Sequence, residues 1–289
     1  MMESARAIRR GYVDTSDGQL HYRYREGGDD APILFFHMTA SSSAAFESVM
    51  THLSGTGPLY AFDTPNYGQS FKTTKQATIE YICQIFIEAA DKLGIDKFYC
   101  FGHHTGTNIA TQLAFMYPER VLGIMLGCAS FTTPEENELY NKILPYDNPP
   151  DIRGTHLMRA WTRVVKDCEA ATPYDSREPW HQVPAEVFHQ EVIDTLTAGE
   201  KWYWGYQAVF THDMMSILPQ VKCPILLVAG KRDVVFFWHE RAKKALPHAK
   251  VVEREGYGVY YCVFAGEDLA PFVSDFVKEV AASREIATA

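Results

Sequence analysis

Tyr99-Cys100-Phe101-Gly102-His103-His104-Thr105-Gly106 joins two hydrophobic periods. Lys97 to Phe101 reads as a buried strand, and residues 105 to 116 repeat apolar positions at helical spacing. Between them, Gly102 and Gly106 flank His103, His104 and Thr105. A strand that turns straight into a helix needs small residues on both sides of the turn. The apex residue takes a strained backbone, and larger neighbours would collide. His104 is that apex residue.

Working outward, the same alternation recurs. Gly11 to Thr15 and Leu20 to Arg25 read as strands joined at the hairpin signal Asp17-Gly18, and Pro32 to Met38 as a buried parallel strand. A helix over Ala44 to Leu53, a strand over Leu59 to Phe62 and a helix through Ile79, Ile82, Phe86, Ala89 and Leu93, closed by Gly94, follow. Val121 to Leu126 is the next strand. Alternation at these lengths implies right-handed crossovers and a mainly parallel sheet. The pattern breaks at Phe131. It resumes with a strand over Pro224 to Ala229, a helix over Trp238 to Leu246, a strand over Lys250 to Arg254 and a closing helix over Leu269 to Ala282. The interval holds helical patterns and proline turns such as Asn148-Pro149-Pro150, Pro173 and Pro179. The expected organisation is an α/β core over residues 1–130 and 217–289, with a helical cap over residues 131–216.

The glycine-flanked turn resembles the nucleophile elbow of the α/β-hydrolase family. Three further stretches, in matching order, carry the resemblance over nearly the whole chain. His37-Met38-Thr39 is similar to the family's oxyanion loop, Asp63-Thr64-Pro65-Asn66-Tyr67-Gly68-Gln69-Ser70 to its turn after the next strand, and Gly230-Lys231-Arg232-Asp233 to its acid-bearing strand end. The resemblance implies an α/β-hydrolase fold: a mainly parallel sheet flanked by helices, with an inserted cap. The family nucleophile is usually serine, sometimes aspartate or cysteine. The matching position here is His104, and the position of the usual base histidine aligns with Val259. Asp233 is retained. With the base imidazole gone, the His104 ring has room to reach Asp233 and form a dyad.

An imidazole on an elbow is a better proton acceptor than covalent carrier, and its ordinary pKa of about 6.5 suits proton transfer near neutrality. By analogy with the family, the backbone N–H groups of Thr39 and Thr105 form the oxyanion hole. Substrate-pocket candidates are Met38, Trp161, Trp202, Tyr206, Tyr257 and Val259. Four of the five tryptophans, Trp161, Trp180, Trp202 and Trp204, lie in the inserted region. Aromatic walls of this kind suit a small hydrophobic molecule. The leading expectation is an enzyme in which His104, oriented by Asp233, performs general acid/base chemistry on a small hydrophobic carbonyl compound. Water activation, C–C bond cleavage, decarboxylation, cyclisation and isomerisation all remain open. The alternatives are a non-catalytic ligand-binding protein on this scaffold, and an ester or lactone hydrolase with His104 as nucleophile. His37 is expected to brace the oxyanion loop, His103 to pack inside, and His212-Asp213 to serve a helix terminus.

Composition limits the partners. With 289 residues, 46% hydrophobic and 22% charged, the chain is an ordinary globular one. Its formal charge of -9 gives no footprint for nucleic acid or an anionic membrane. The six cysteines never form a C-x-x-C pair. Adjacent histidines at a strand end point to opposite sides, so no metal is expected, and no cofactor either. A cytoplasmic protein without a transmembrane helix is the expectation; a homodimer is left open.

Overall fold

Asp17-Gly18 turns Arg9–Asp14 (β1) back along Gln19–Arg25 (β2), as the hairpin signal requires. Ile33–Phe36 (β3), Leu59–Phe62 (β4), Phe98–His103 (β5), Val121–Gly127 (β6), Ile225–Gly230 (β7) and Lys250–Arg254 (β8) follow. A computed structural model, which describes residues 7–144, 146–169 and 183–288, joins them in one sheet. The order is β1-β2-β4-β3-β5-β6-β7-β8. β1–β2 and β2–β4 pair antiparallel, and every other pair is parallel. β5 runs two residues beyond the expected end, because Gly102 and His103 pair with Leu126 and Gly127 of β6.

The two-residue period of the strands divides the core between the sheet faces. Leu34 and Phe36 of β3, with Phe98 and Cys100 of β5, meet Ile79–Lys92 (α2) and Thr105–Met116 (α3). Ile33 and Phe35, with Tyr99 and Phe101, meet Glu47–His52 (α1) and Gly266–Thr288 (α11) on the other face. Fully burying each such apolar side chain contributes roughly 1.5–3 kcal/mol. The expected helix over Ala44 to Leu53 divides into a tight turn, Ser43–Phe46, begun by the Ser42 cap, and α1, because Phe46 between them leaves helical geometry at φ −102°, ψ 1°.

Helices occupy the described part of the insertion: Pro134–Ile143 (α4), Thr155–Glu169 (α5), Ala185–Ala198 (α6), Trp204–Val209 (α7) and Met214–Ile217 (α8). Pro173, Pro179 and Trp180 lie outside the described residues. Thr133 and Glu136 close a reciprocal cap at the start of α4. Glu136 also receives both guanidinium arms of Arg241 from Phe236–Ala245 (α9), tying cap to core. A short helix, Tyr261–Phe264 (α10), precedes α11. Among the described residues no helix is long and apolar enough to cross a membrane.

Candidate active site

The elbow glycines are dictated by backbone crowding. A Cβ on Gly102 would lie 2.1 Å from the carbonyl oxygen of Gly106, and one on Gly106 would lie 1.9 Å from that of Phe36. Between them His104 takes φ 47° and ψ −108°, in the left-handed region that a side-chain-bearing residue rarely enters. Its amide donates to the Gly127 carbonyl at 3.0 Å, and its own carbonyl accepts from the Thr107 amide at 2.8 Å. The turn therefore delivers the His104 ring to the carboxyl ends of the central strands.

Asp233 reaches the same point from the loop after β7. The His104 Nε2 to Asp233 Oδ2 distance is 2.8 Å. A carboxylate accepts, so Nε2–H donates and Nδ1 carries the ring's lone pair. Nδ1 has no hydrogen-bond partner among the described residues, and the His104 ring lines a cavity. Burial by itself would raise the Asp233 carboxyl. The charge and hydrogen bond of His104 and the Val235 amide, which donates to Oδ1 at 3.0 Å, overcome that effect and hold it below the ordinary carboxylate value. The Cys128 thiol beside it is pushed up, first by burial and then by the Asp233 charge.

His103 packs inside, as expected. Burial, followed by the His104 charge, lowers its pKa to about 3. The expectation that the two neighbouring rings point apart is corrected. The tight turn brings their centroids to 4.6 Å, edge to face. His103, His104 and Asp233 thus place one potential ligand atom each within 4.8 Å of one another. The 2.8 Å pair within this group has the length of a hydrogen bond and needs no ion to hold it. His37 braces two loops: Nδ1–H donates to the Met38 carbonyl at 2.7 Å, and Nε2 accepts from the Thr64 amide at 3.0 Å.

Thr105 opens α3, where an amide has no intrahelical acceptor. The Thr39 amide, instead of facing open space, donates to Thr105 Oγ1 at 3.2 Å, and the two threonine hydroxyls lie 2.9 Å apart. Both residues line the cavity beside His104. Its volume is about 300 Å³. Met38, Trp202, Tyr206 and Val259 form part of the wall. Trp161 and Tyr257 do not. Trp161 stands on the outer side of α5, 41% exposed and edge-on to Phe188. Tyr257 is turned away onto Tyr261 and Phe264, with its backbone packed against Gly230.

Other tyrosines beside the missing base are engaged elsewhere. Tyr260 reaches the cavity wall, but its hydroxyl donates to the Val164 carbonyl at 3.1 Å, and that of Tyr261 donates to Asp268 at 2.7 Å. His212 lies between Asn108 and Gln112 of α3, at 2.9 and 2.8 Å, and Asp213 caps α8. Sequence reasoning missed Trp238, Phe210, Arg163 and Glu191, all of which line the cavity. Trp238 was the fifth tryptophan, outside the cap. Its place just beyond Asp233 was a usable signal; nothing in the spacing of Arg163 or Glu191 was.

Residues 31–260 match the family model of the α/β hydrolase fold. A bifunctional esterase/perhydrolase of Acinetobacter calcoaceticus is 22% identical over 254 residues, covering 86% of this chain and 92% of that protein. A Mycobacterium phage D29 protein named for non-heme haloperoxidase activity is 29% identical over 100 residues. That match covers 34% of this chain and spans 36% of the relative's length. Among solved structures, the enol-lactonase of Burkholderia xenovorans superposes with a TM-score of 0.75 at 16% identity, over 93% of this chain and all of that one. The chain belongs to the α/β-hydrolase family, with a histidine where that family's serine nucleophile would stand.

Proposed function

We propose that the protein is a cytoplasmic enzyme acting on a small, mostly apolar carbonyl compound, with His104 as general base and Asp233 holding its ring. The cap over residues 131–216 closes the pocket. The observation that carries this reading is the 2.8 Å His104–Asp233 contact on the wall of a cavity of about 300 Å³. In the serine triad the carboxylate holds Nδ1 and leaves Nε2 for chemistry. Here the acid holds Nε2, so Nδ1 takes the proton, from water or from carbon next to the carbonyl. Negative charge developing on the carbonyl oxygen is met by the Thr105 amide and by the Thr39 amide, which exchanges its bond to Thr105 Oγ1 for one to substrate. Trp202, Tyr206, Phe210 and Trp238 supply the apolar wall that excludes water. The free cysteines Cys83, Cys100, Cys128, Cys223 and Cys262 suit a reducing compartment.

His104→Ala tests the reading. Removing a general base lowers kcat by about 10²–10⁴-fold; because the variant also leaves the buried Asp233 without its 2.8 Å partner, circular dichroism checks that it is folded. Fluorophosphonate, which labels activated serines, leaves the protein unmodified. Full turnover by His104→Ala overturns the proposal. Tight binding of carbonyl compounds without conversion would establish the ligand-binding alternative, and an acyl-imidazole seen by mass spectrometry would make His104 the nucleophile.

A further inference from the structure

The loop after β3, residues 38–43, carries Thr39 and is held from two sides. From the core, the Ser43 amide donates to Asp63 Oδ1 at 2.7 Å, and Arg23 Nη1 donates to the Ser43 hydroxyl at 2.6 Å. From the cap, α6 presents two acids one turn apart. Glu191 Oε1 accepts from the Ser41 hydroxyl at 2.8 Å, and Asp194 Oδ2 accepts from the Ser42 hydroxyl at 2.9 Å. The Tyr206 hydroxyl of α7 donates to the Thr39 carbonyl at 3.0 Å. Glu191 and Asp194 are 2% and 4% exposed.

Burying carboxylates at a seam is costly unless each is hydrogen-bonded, and apolar side chains would hold cap to core more cheaply. The neighbouring part of this same seam is apolar, built from Met38, Val164, Phe188, Val259 and Tyr260. The acids stand where the loop bearing Thr39 must keep one conformation. We infer that Glu191 and Asp194 are positioning residues, acting through Ser41 and Ser42 to fix the Thr39 amide. This inference rests on the reading of Thr39 as an oxyanion donor. The donor geometry is thereby set by the cap as well as by the core: unseating α6 releases the loop from its acceptors. A hydroxyl loses its acceptor when either acid is truncated, and the loop then samples positions in which the Thr39 amide misses the substrate oxygen.

The experiment uses the full chain with p-nitrophenyl acetate as probe, and hydrogen–deuterium exchange over residues 37–44 as a readout independent of turnover. Glu191→Ala and Asp194→Ala are expected to lower kcat about 10- to 100-fold with KM changed less than about threefold. Both are expected to speed exchange in the loop. Glu191→Gln and Asp194→Asn keep an acceptor for each hydroxyl and recover most of both readouts. If the alanine variants do not fold, Ser41→Ala and Ser42→Ala remove the same bonds from the core side. Unchanged loop exchange in folded alanine variants overturns the inference, as does loosened exchange with kcat intact. Equal hydrolysis by wild type and His104→Ala would instead sink the general-base reading, and loop exchange alone would then decide whether the acids hold the loop.

Discussion

His104 has exchanged roles with the residues around it. It occupies the apex where the family places a nucleophile, and Val259, buried on the cavity wall, occupies the place of the missing imidazole. The His103 ring is buried beside it, its centroid 4.6 Å from that of His104. Asp233 therefore serves a histidine that arrives from the other side of the site. Asp233→Asn keeps the shape of this contact but removes the charge that stabilises an imidazolium and selects the tautomer. We expect kcat to fall by about 10²–10⁴-fold with the fold retained. A kcat within about threefold of wild type would show that His104 needs no orienting acid.

At the scale of elements, the elbow depends on the approach of α3 to β3. The Gly106 Cβ position is blocked by the backbone of Phe36, which cannot yield as a flexible side chain would. Gly106→Ala should cost about 2–3 kcal/mol or prevent folding. Gly94, just past α2, differs: its φ is +71° but the space beside it is open. Gly94→Ala should cost only about 1 kcal/mol, from backbone strain alone. Urea denaturation of the two variants separates the causes, and equal losses would show that packing at the elbow is not the constraint.

For the whole molecule, buried titratable groups set the response to acid. Burial holds His103 at about 3 and His212 at about 4, against an ordinary 6.5. The native state thus binds fewer protons than the unfolded chain below pH 6.5, and their stabilisation is lost as pH falls from there. Asp194 acts in the opposite sense. Burial raises it from 3.8 to about 6, so its cost to the fold grows as pH rises through that interval. At about 1.4 kcal/mol per unit, the two histidines lose roughly 2 kcal/mol each between pH 7 and 5, and Asp194 returns about 1.4. Burial lowers His37 and His239 in the same direction, so a net loss of at least about 2 kcal/mol is expected by urea denaturation. Asp194→Asn should be more stable than wild type at pH 7 and equal to it near pH 4; the reverse order would show that its charge is favoured in the native state.

Local chemistry was legible in the sequence by itself. Two-residue and helical periods fixed the strands and helices of the core, Asp17-Gly18 the hairpin, and Gly102 and Gly106 the elbow, because each is decided by residues adjacent along the chain. The histidine at 104 and the valine at 259 were readable in the same way. Only the tertiary structure decided which nitrogen of His104 meets Asp233, that Trp238 rather than Trp161 lines the cavity, that Tyr257 turns away, and that Glu191 and Asp194 reach Ser41 and Ser42. Those contacts join residues far apart in the chain and depend on how the cap seats on the sheet. Sequence spacing carries no record of that geometry, since an exposed and a cavity-facing aromatic on one helix obey the same period.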